Sequence, residues 1–313
     1  MTISPQDLSL RQLQYVVAVA ETLGFHKAAD RCHVSQPALS AQVKQLEAVL
    51  GVQIFERDRR RVLLTEAGAV VVAHARRVHL EIGDMIAGVR QLREPRSGTF
   101  RIGVIPTIAP YLLPDVVPAV RARYPKLQLV FREEKTDAVV ADLREGRLDA
   151  GLLALEADIG EWASGLVTSD PFVVALPKGH PLARKKRIAA SDLDDEPVLL
   201  LDEGHCFRAQ ALSVCNRAGA KETGLRATSL STLAQMVSSG SGITLLPQIA
   251  VAVENRRCQL DVRPFTSPAP HRTIALIWRP QSPFGNTFRE LADLFRAALR
   301  EDRPAGARHP VTR

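Results

Sequence analysis

The chain has 313 residues, 46% hydrophobic and 24% charged, with a formal net charge of +7. That size allows two or three domains with their own cores, and the basic balance suits a polyanionic partner without requiring one. No run of about twenty apolar residues argues for a membrane span, the start MTISPQDLSLRQ lacks the pattern of a secretory signal, and four scattered cysteines (Cys32, Cys206, Cys215, Cys258) do not make a secreted disulfide scaffold, so a bacterial-type cytoplasm is the expected compartment.

Residues 8–24 predict a helix whose inward face is Leu10, Leu13, Val16, Val17 and Ala20. A short second helix over 25–32 turns Ala28, Ala29 and Cys32 inward. The segment VSQPALSAQVKQLEAVLG (34–51) has the clearest end signals: Ser35 as N-cap, Pro37 in the first turn, Gly51 as terminator. Leu39, Val43, Leu46 and Leu50 face the core, while Ser35, Gln36, Ser40, Gln42 and Lys44 face outward. Two short helices with a polar patch at the start of the second read as a helix-turn-helix. Gln36 and Ser40 can bond base edges, and the helix N-terminus near Pro37 suits phosphate. Arg57, Arg59, Arg60 and Arg61 then sit at the tip between two short extended runs, as in a wing that reaches backbone or minor groove. A plain helical bundle with a solvated basic loop fits the periodicity alone equally well. Thr65 opens a long helix over 65–92, longer than a packed globular helix needs, which suggests a linker or a dimerisation element.

Taken together, LRQLQYVVAVAETLGFHKAAD, VSQPALSAQVKQLEAVLGVQIFER and LTEAG resemble the N-terminal domain of LysR-type transcriptional regulators over residues 8–67. The resemblance implies a winged helix-turn-helix over 1–64, a linker and dimerisation helix over 65–94, and a homodimer that assembles to a homotetramer on double-stranded promoter DNA. It also implies RNA polymerase as a partner, no cofactor, no metal and no enzymatic activity.

Beyond EPRSG (94–98), TFRIGVIPT predicts a strand ending in a Pro-Thr loop. PYLLPDVVPAVRARYPK predicts a helix, LQLVFREEKT a strand, and 136–155 a helix followed by a third strand. That alternation argues for α/β architecture with a largely parallel sheet. A second unit begins near 172. A strand over 273–280 and a helix over 286–299 then return to the first unit. The expected effector region spans 99–301, with subdomain I at 99–171 plus 271–301 and subdomain II at 172–270. Two crossings would form a hinged cleft, an arrangement that resembles the periplasmic-binding-protein-like effector domains of the LysR family. The tail 302–313 reads as disordered.

LLLDEGHCFRAQALSVC (199–215) sets His205 beside Cys206, with Cys215 nine residues on. A structural zinc lacks a fourth ligand nearby, and no nucleophile elbow supports a hydrolase. Buried packing and a redox role both remain open on residue types alone. Cys206 falls at the N-terminal edge of a predicted helix closed by Gly219, where backbone N–H groups favour thiolate and Arg208 adds positive charge. Nine helical residues span roughly 13 Å, whereas a disulfide needs Cα atoms within about 7 Å, so the two cysteines could join only if the helix unwinds.

The effector segments, above all H-C-x-R-x-Q with a second cysteine nine residues on, resemble the peroxide-sensing members of the LysR family. What the resemblance implies is a peroxidatic Cys206, a resolving Cys215, a pocket for hydrogen peroxide involving Thr107, Thr136 and His205, and a thiol reductant system that resets the pair. Both threonines also suit ordinary caps or turns. The alternative is a LysR-type regulator that answers a small organic effector in the cleft between subdomains.

Overall fold

The computed structural model describes residues 4–57, 61–93, 96–157 and 159–301, in two compact units, 1–92 and 93–313. The predicted tail at 302–313 lies outside the described residues.

The first unit opens with α1 (Leu10–Thr22), α2 (Phe25–Arg31) and α3 (Gln36–Leu50). The core face of α1 is Gln12, Tyr15, Val16, Ala18 and Val19, which corrects the apolar count. Of the expected face only Val16 is buried; Leu10 is 55% exposed. Packing in one core with α2 and α3 selects this face, and a reciprocal cap starts the helix. The Ser9 hydroxyl accepts from the Gln12 N–H at 3.2 Å and the Ser9 N–H donates to Gln12 Oε1 at 3.0 Å, which fixes where α1 begins. In α3, Leu39, Val43 and Leu46 are buried as predicted, and Leu50 only partly. Ser35 caps it through the Ala38 N–H, and Gly51 ends it at φ 67°. An antiparallel hairpin follows, β1 (Phe55–Arg57) with β2 (Val62–Leu64). Glu47 ties it to α3 by accepting from the N–H groups of Ile54 and Phe55 at 2.9 and 3.2 Å. Then comes α4 (Glu66–Arg93), 28 residues long, capped by the Thr65 hydroxyl. It exposes Val70, Val78, Met85, Ile86 and Val89.

The second unit has two lobes. Lobe I is built on β3 (Gly98–Val104), α5 (Ala109–Arg123), β4 (Leu127–Glu133), α6 (Thr136–Arg144) and β5 (Ala150–Ala154). Next is β6 (Ala163–Leu176), a 14-residue strand shared by both lobes. Lobe II holds β7 (Pro197–Leu201), α7 (Cys206–Ala218), β8 (Lys221–Ala227) and α8 (Leu230–Ser238). It is completed by β9 (Thr244–Pro247), α9 (Gln248–Cys258) and β10 (Asp261–Pro264). Finally β11 (His271–Trp278) and α10 (Gly285–Glu301) return to lobe I.

The main sheet runs β10-β6-β11-β5-β3-β4, with β9 also on β6. The expectation of a largely parallel sheet holds only in part. β3 is parallel to β4 and β5, but β11 lies antiparallel between β5 and β6. β6 keeps the sense of β3, β4 and β5, and β11 runs against them, because a chain returning from lobe II enters the sheet from the opposite end. β6 pairs β11 as far as Pro171 and pairs β9 from Phe172 onward. Each lobe has its own apolar core: Ile102, Trp278, Phe288 and Phe295 in one, Leu199, Phe207, Leu245 and Phe265 in the other.

At the crossover, Asp170 of β6 and Arg272 of β11 are register partners, and both are fully buried. Arg272 Nε donates to Asp170 Oδ2 at 3.0 Å, and its two terminal nitrogens donate to Thr107 Oγ1 and the Thr107 carbonyl at 2.7 and 2.8 Å. Asp170 Oδ1 accepts from the Ile249 N–H at the start of α9. A second tie joins the lobes: Tyr111 of α5 donates to Glu254 of α9 at 2.7 Å, and Ser231 of α8 adds a bond at 2.9 Å. Burial and the Glu254 carboxylate push the Tyr111 phenol above its ordinary range, so it stays a donor.

A buried charge stripped of its partner is destabilising by about 3–5 kcal/mol. Asp170→Ala is therefore expected to lower the unfolding free energy of residues 93–313 by about that much, as read by chemical denaturation. A loss under about 1 kcal/mol would show that Arg272 finds other compensation.

Candidate functional sites: a helix-turn-helix face and a thiol cleft

The first site is the start of α3. Ser35, Gln36, Pro37 and Lys44 are exposed, while Ser40 and Gln42 are half-buried on the same helix. The Ser35 hydroxyl is used in the cap, so Gln36 has the freer polar group for a base edge. Of the wing arginines, Arg61 is exposed and Arg57 lies in β1; Arg59 and Arg60 lie outside the described residues. Gln36→Ala and Ser40→Ala are expected to reduce discrimination between operator and random duplex. Arg61→Ala should weaken binding to both alike and flatten its salt dependence. Competition footprinting over a salt series checks this, and an unchanged ratio in the α3 variants would count against the face.

The second site is a cleft of about 960 Å³ in the effector unit. Its floor is α7. Gly204, in the left-handed region at φ 84°, turns the chain from β7 into this helix, and Gly219 at φ 78° ends it. Cys206 is the first helical residue and faces the cleft with its neighbour His205. Thr136, the first residue of α6, lines the facing wall. Three predicted residues are thus brought together. Thr107 and Cys215 are not among the lining residues. Thr107 sits behind, with its hydroxyl accepting from Arg272. Cys215 is 3% exposed and packs in the lobe II core with Val214 and Ala218. Both Cys206 and Cys215 are free thiols.

Electrostatics separate the two thiols. Burial, and then Glu222, push the Cys215 thiol up to about 11, so it stays protonated while α7 is intact. Cys206 is half-buried and is the first residue of α7, open to the cleft. Burial first, then Lys135, hold the His205 imidazole below its usual range against the pull of Asp202, so it is neutral near pH 7. The expected help from Arg208 is absent: its guanidinium is paired with Glu222 of β8 at 2.9 and 3.3 Å.

Three polar atoms stand out. Thr136 Oγ1 and both amide atoms of Gln210 are buried with no hydrogen-bond partner, and both residues line the cleft. Such groups are normally satisfied, so they mark a place for a small polar guest. Gln210 is the last residue of the H-C-x-R-x-Q segment, but the sequence assigned it no role, although its spacing one turn after Cys206 points to the cleft. Arg272 was also missed. It stands in an apolar strand and stacks 5.4 Å from the Phe207 ring, directly after the cysteine. Among the described residues no group of three or more metal-ligating side chains is found.

The two threonines differ in a testable way. Thr136→Val removes an unbonded hydroxyl, so it should slow oxidation of Cys206 by peroxide about tenfold with stability unchanged. Thr107→Val strips an acceptor from a buried guanidinium, so it should destabilise the unit by about 1–3 kcal/mol. Stopped-flow trapping of sulfenic acid, together with denaturation of each variant, separates the two roles.

Residues 10–69 match the family described as bacterial regulatory helix-turn-helix protein, lysR family, and residues 93–300 match the LysR substrate binding domain. A hydrogen peroxide-inducible genes activator of Dickeya chrysanthemi is 44% identical over 290 residues, covering 92% of this chain and 95% of the relative. A full-length OxyR from Pseudomonas aeruginosa, solved as a cysteine-to-aspartate variant, superposes with a TM-score of 0.75 at 37% identity, covering 92% and 95% of the two chains. A hydrogen-peroxide-bound cysteine-to-serine variant of Corynebacterium glutamicum OxyR gives 0.65 at 32% identity, covering 94% and 93%. With a helix-turn-helix in its first unit, a two-lobed α/β second unit and these matches across nearly its whole length, the chain belongs to the LysR family of transcriptional regulators and within it is closely related to OxyR.

Proposed function

We propose that this chain is a peroxide-sensing transcriptional regulator in which oxidation of Cys206 and its disulfide with Cys215 switch transcription of antioxidant genes. The observation that carries this reading is Cys206 at the start of α7, open to a cleft beside the unpartnered Thr136 hydroxyl. A relative of this architecture has been solved with hydrogen peroxide bound, which supports the same guest here.

The thiolate of Cys206 attacks one oxygen of the peroxide. The O–O bond breaks, hydroxide leaves and takes a proton, and sulfur becomes sulfenic acid. Thr136 and the neutral His205 are placed to hold the peroxide and the departing oxygen. The Cys215 thiol then displaces water from the sulfenic acid and forms the disulfide. Nine residues of helix hold the cysteines roughly 13 Å apart, so closure requires α7 to unwind. Two electrons from a thiol reductant system restore both thiols. The exposed apolar residues of α4 support a homodimer, and the family resemblance extends this to a homotetramer that recruits RNA polymerase.

The test separates chemistry from closure. Cys206→Ser should abolish the peroxide response, and Cys215→Ser should form a sulfenic acid that never closes. Ala211→Gly, in the middle of α7, costs the helix about 1 kcal/mol. If unwinding limits closure, disulfide formation should speed up about fivefold while sulfenic acid appears at the wild-type rate. Peptide mapping over time reads both steps, and an absent 206–215 crosslink in the oxidised wild type would sink the disulfide switch.

A further inference from the structure

Resting on that reading of Cys206, we propose that the cleft admits organic hydroperoxides as well as hydrogen peroxide, and that the cleft-facing stripe of α7 sets this wider specificity. The first observation is a mismatch of size. A water's share of liquid volume is about 30 Å³, and hydrogen peroxide has only one oxygen more. The cleft beside the thiol is about 960 Å³, in the range that takes drug-sized organic molecules.

The second observation is how the lining is arranged. Cys206, Ala209, Gln210, Ser213, Val214 and Arg217 all line the cleft. Their spacing of three and four residues makes one continuous stripe of α7 leading away from the sulfur. The polar atoms that lack partners, Thr136 Oγ1 and the Gln210 amide, lie at the cysteine end. Beyond them the side chains of Ala209 and Val214, with Phe172 and the segment Pro268–Ala269–Pro270, supply an apolar part of the wall, and Asp137, Glu156, Arg217 and His271 supply a polar part. A peroxide group fits the cysteine end and a carbon skeleton fits against the apolar part of the wall. A site built for two oxygens alone would not need that wall.

The chemistry balances with the same residues. The Cys206 thiolate attacks the terminal oxygen of R–O–O–H, a sulfur–oxygen bond forms and the O–O bond breaks. The alkoxide leaves and takes up a proton as R–OH. Sulfur is oxidised to sulfenic acid and the hydroperoxide is reduced to the alcohol. A hydrogen bond from the Gln210 amide would stabilise the departing alkoxide. Condensation with Cys215 then releases water as before.

The experiment uses the reduced full-length protein, with hydrogen peroxide and cumene hydroperoxide as probes. Stopped-flow rates are read with mass-spectrometric mapping of Cys206, and cumyl alcohol is quantified per thiol lost. The expected result is a second-order rate constant for cumene hydroperoxide within tenfold of that for hydrogen peroxide, with one cumyl alcohol per oxidised Cys206. Ala209→Trp and Ser213→Phe, both at exposed positions of the stripe, should each lower the ratio of the cumene to the hydrogen peroxide rate constant at least tenfold. Cumene hydroperoxide reacting more than tenfold slower in the wild type, or an unchanged ratio in both variants, overturns the proposal while leaving peroxide sensing intact. Failure of hydrogen peroxide itself to oxidise Cys206 removes the underlying reading as well.

Discussion

The Asp170–Arg272 pair is the constraint on which the effector unit depends. Both side chains are fully buried where the chain passes between lobes, so each is the other's charge partner. Burial pushes the Asp170 carboxyl up, and the guanidinium with the backbone N–H of Ile249 pulls it back. A pair in such surroundings stabilises little by itself, because desolvation offsets most of the attraction. Its value is geometric. Arg272 has a planar fork of donors: Nε bonds Asp170 of β6, both terminal nitrogens bond Thr107 in the β3–α5 loop, and the guanidinium plane lies over the Phe207 ring of α7. One guanidinium thereby fixes the loop behind the thiol, the strand that crosses between lobes and the start of the thiol's own helix.

From that fixed point α7 inherits a division of labour. Its first residue packs partly against the core of lobe I, while Phe207, Ala211, Val214 and Cys215 belong to the core of lobe II. A helix rooted in one lobe with its reactive end against the other is placed to respond when either end changes. The two cysteines also stand in opposed environments. One is at a helix N-terminus facing a cleft, and the other is a buried neutral thiol. Attack and resolution are separated in space by the same nine residues that must yield for the bond to form.

The DNA-binding unit rests on smaller local devices. The Ser9–Gln12 exchange fixes the start of α1, Ser35 fixes the start of α3, and Glu47 spends its carboxylate on two backbone N–H groups of the hairpin. The Glu47 bonds tie the base of the hairpin to the last turn of α3. The same logic recurs in the effector unit, where Gly204 and Gly219 bracket α7 with left-handed turns that other residues adopt only at a cost.

Local order along the chain was legible in the sequence. End signals such as Ser35, Pro37 and Gly51 act within one turn, so the helix-turn-helix and the long α4 could be read directly, and the α/β class followed from alternating periodicities. The distance between Cys206 and Cys215 was legible for the same reason, since the rise of a helix depends on residue count alone. Interactions across many residues were not. The inward face of α1 takes in Gln12, Tyr15, Ala18 and Val19, which the apolar spacing did not name, while Leu10 stays exposed, because the packing of α2 and α3 and not the helix's own pattern sets that face. Arg208 looked like a charge for the thiol, but a strand fourteen residues later supplies Glu222 to neutralise it. The parallel sheet was overestimated because nothing in β11 says which strands it will lie between. Arg272 and Asp170 are a hundred residues apart, and only the crossing of two strands makes them register partners. The sequence by itself determined which elements form and which chemistry they carry; the tertiary structure alone decided which buried charges meet, because pairing across the sheet is set by topology and not by any local preference of the chain.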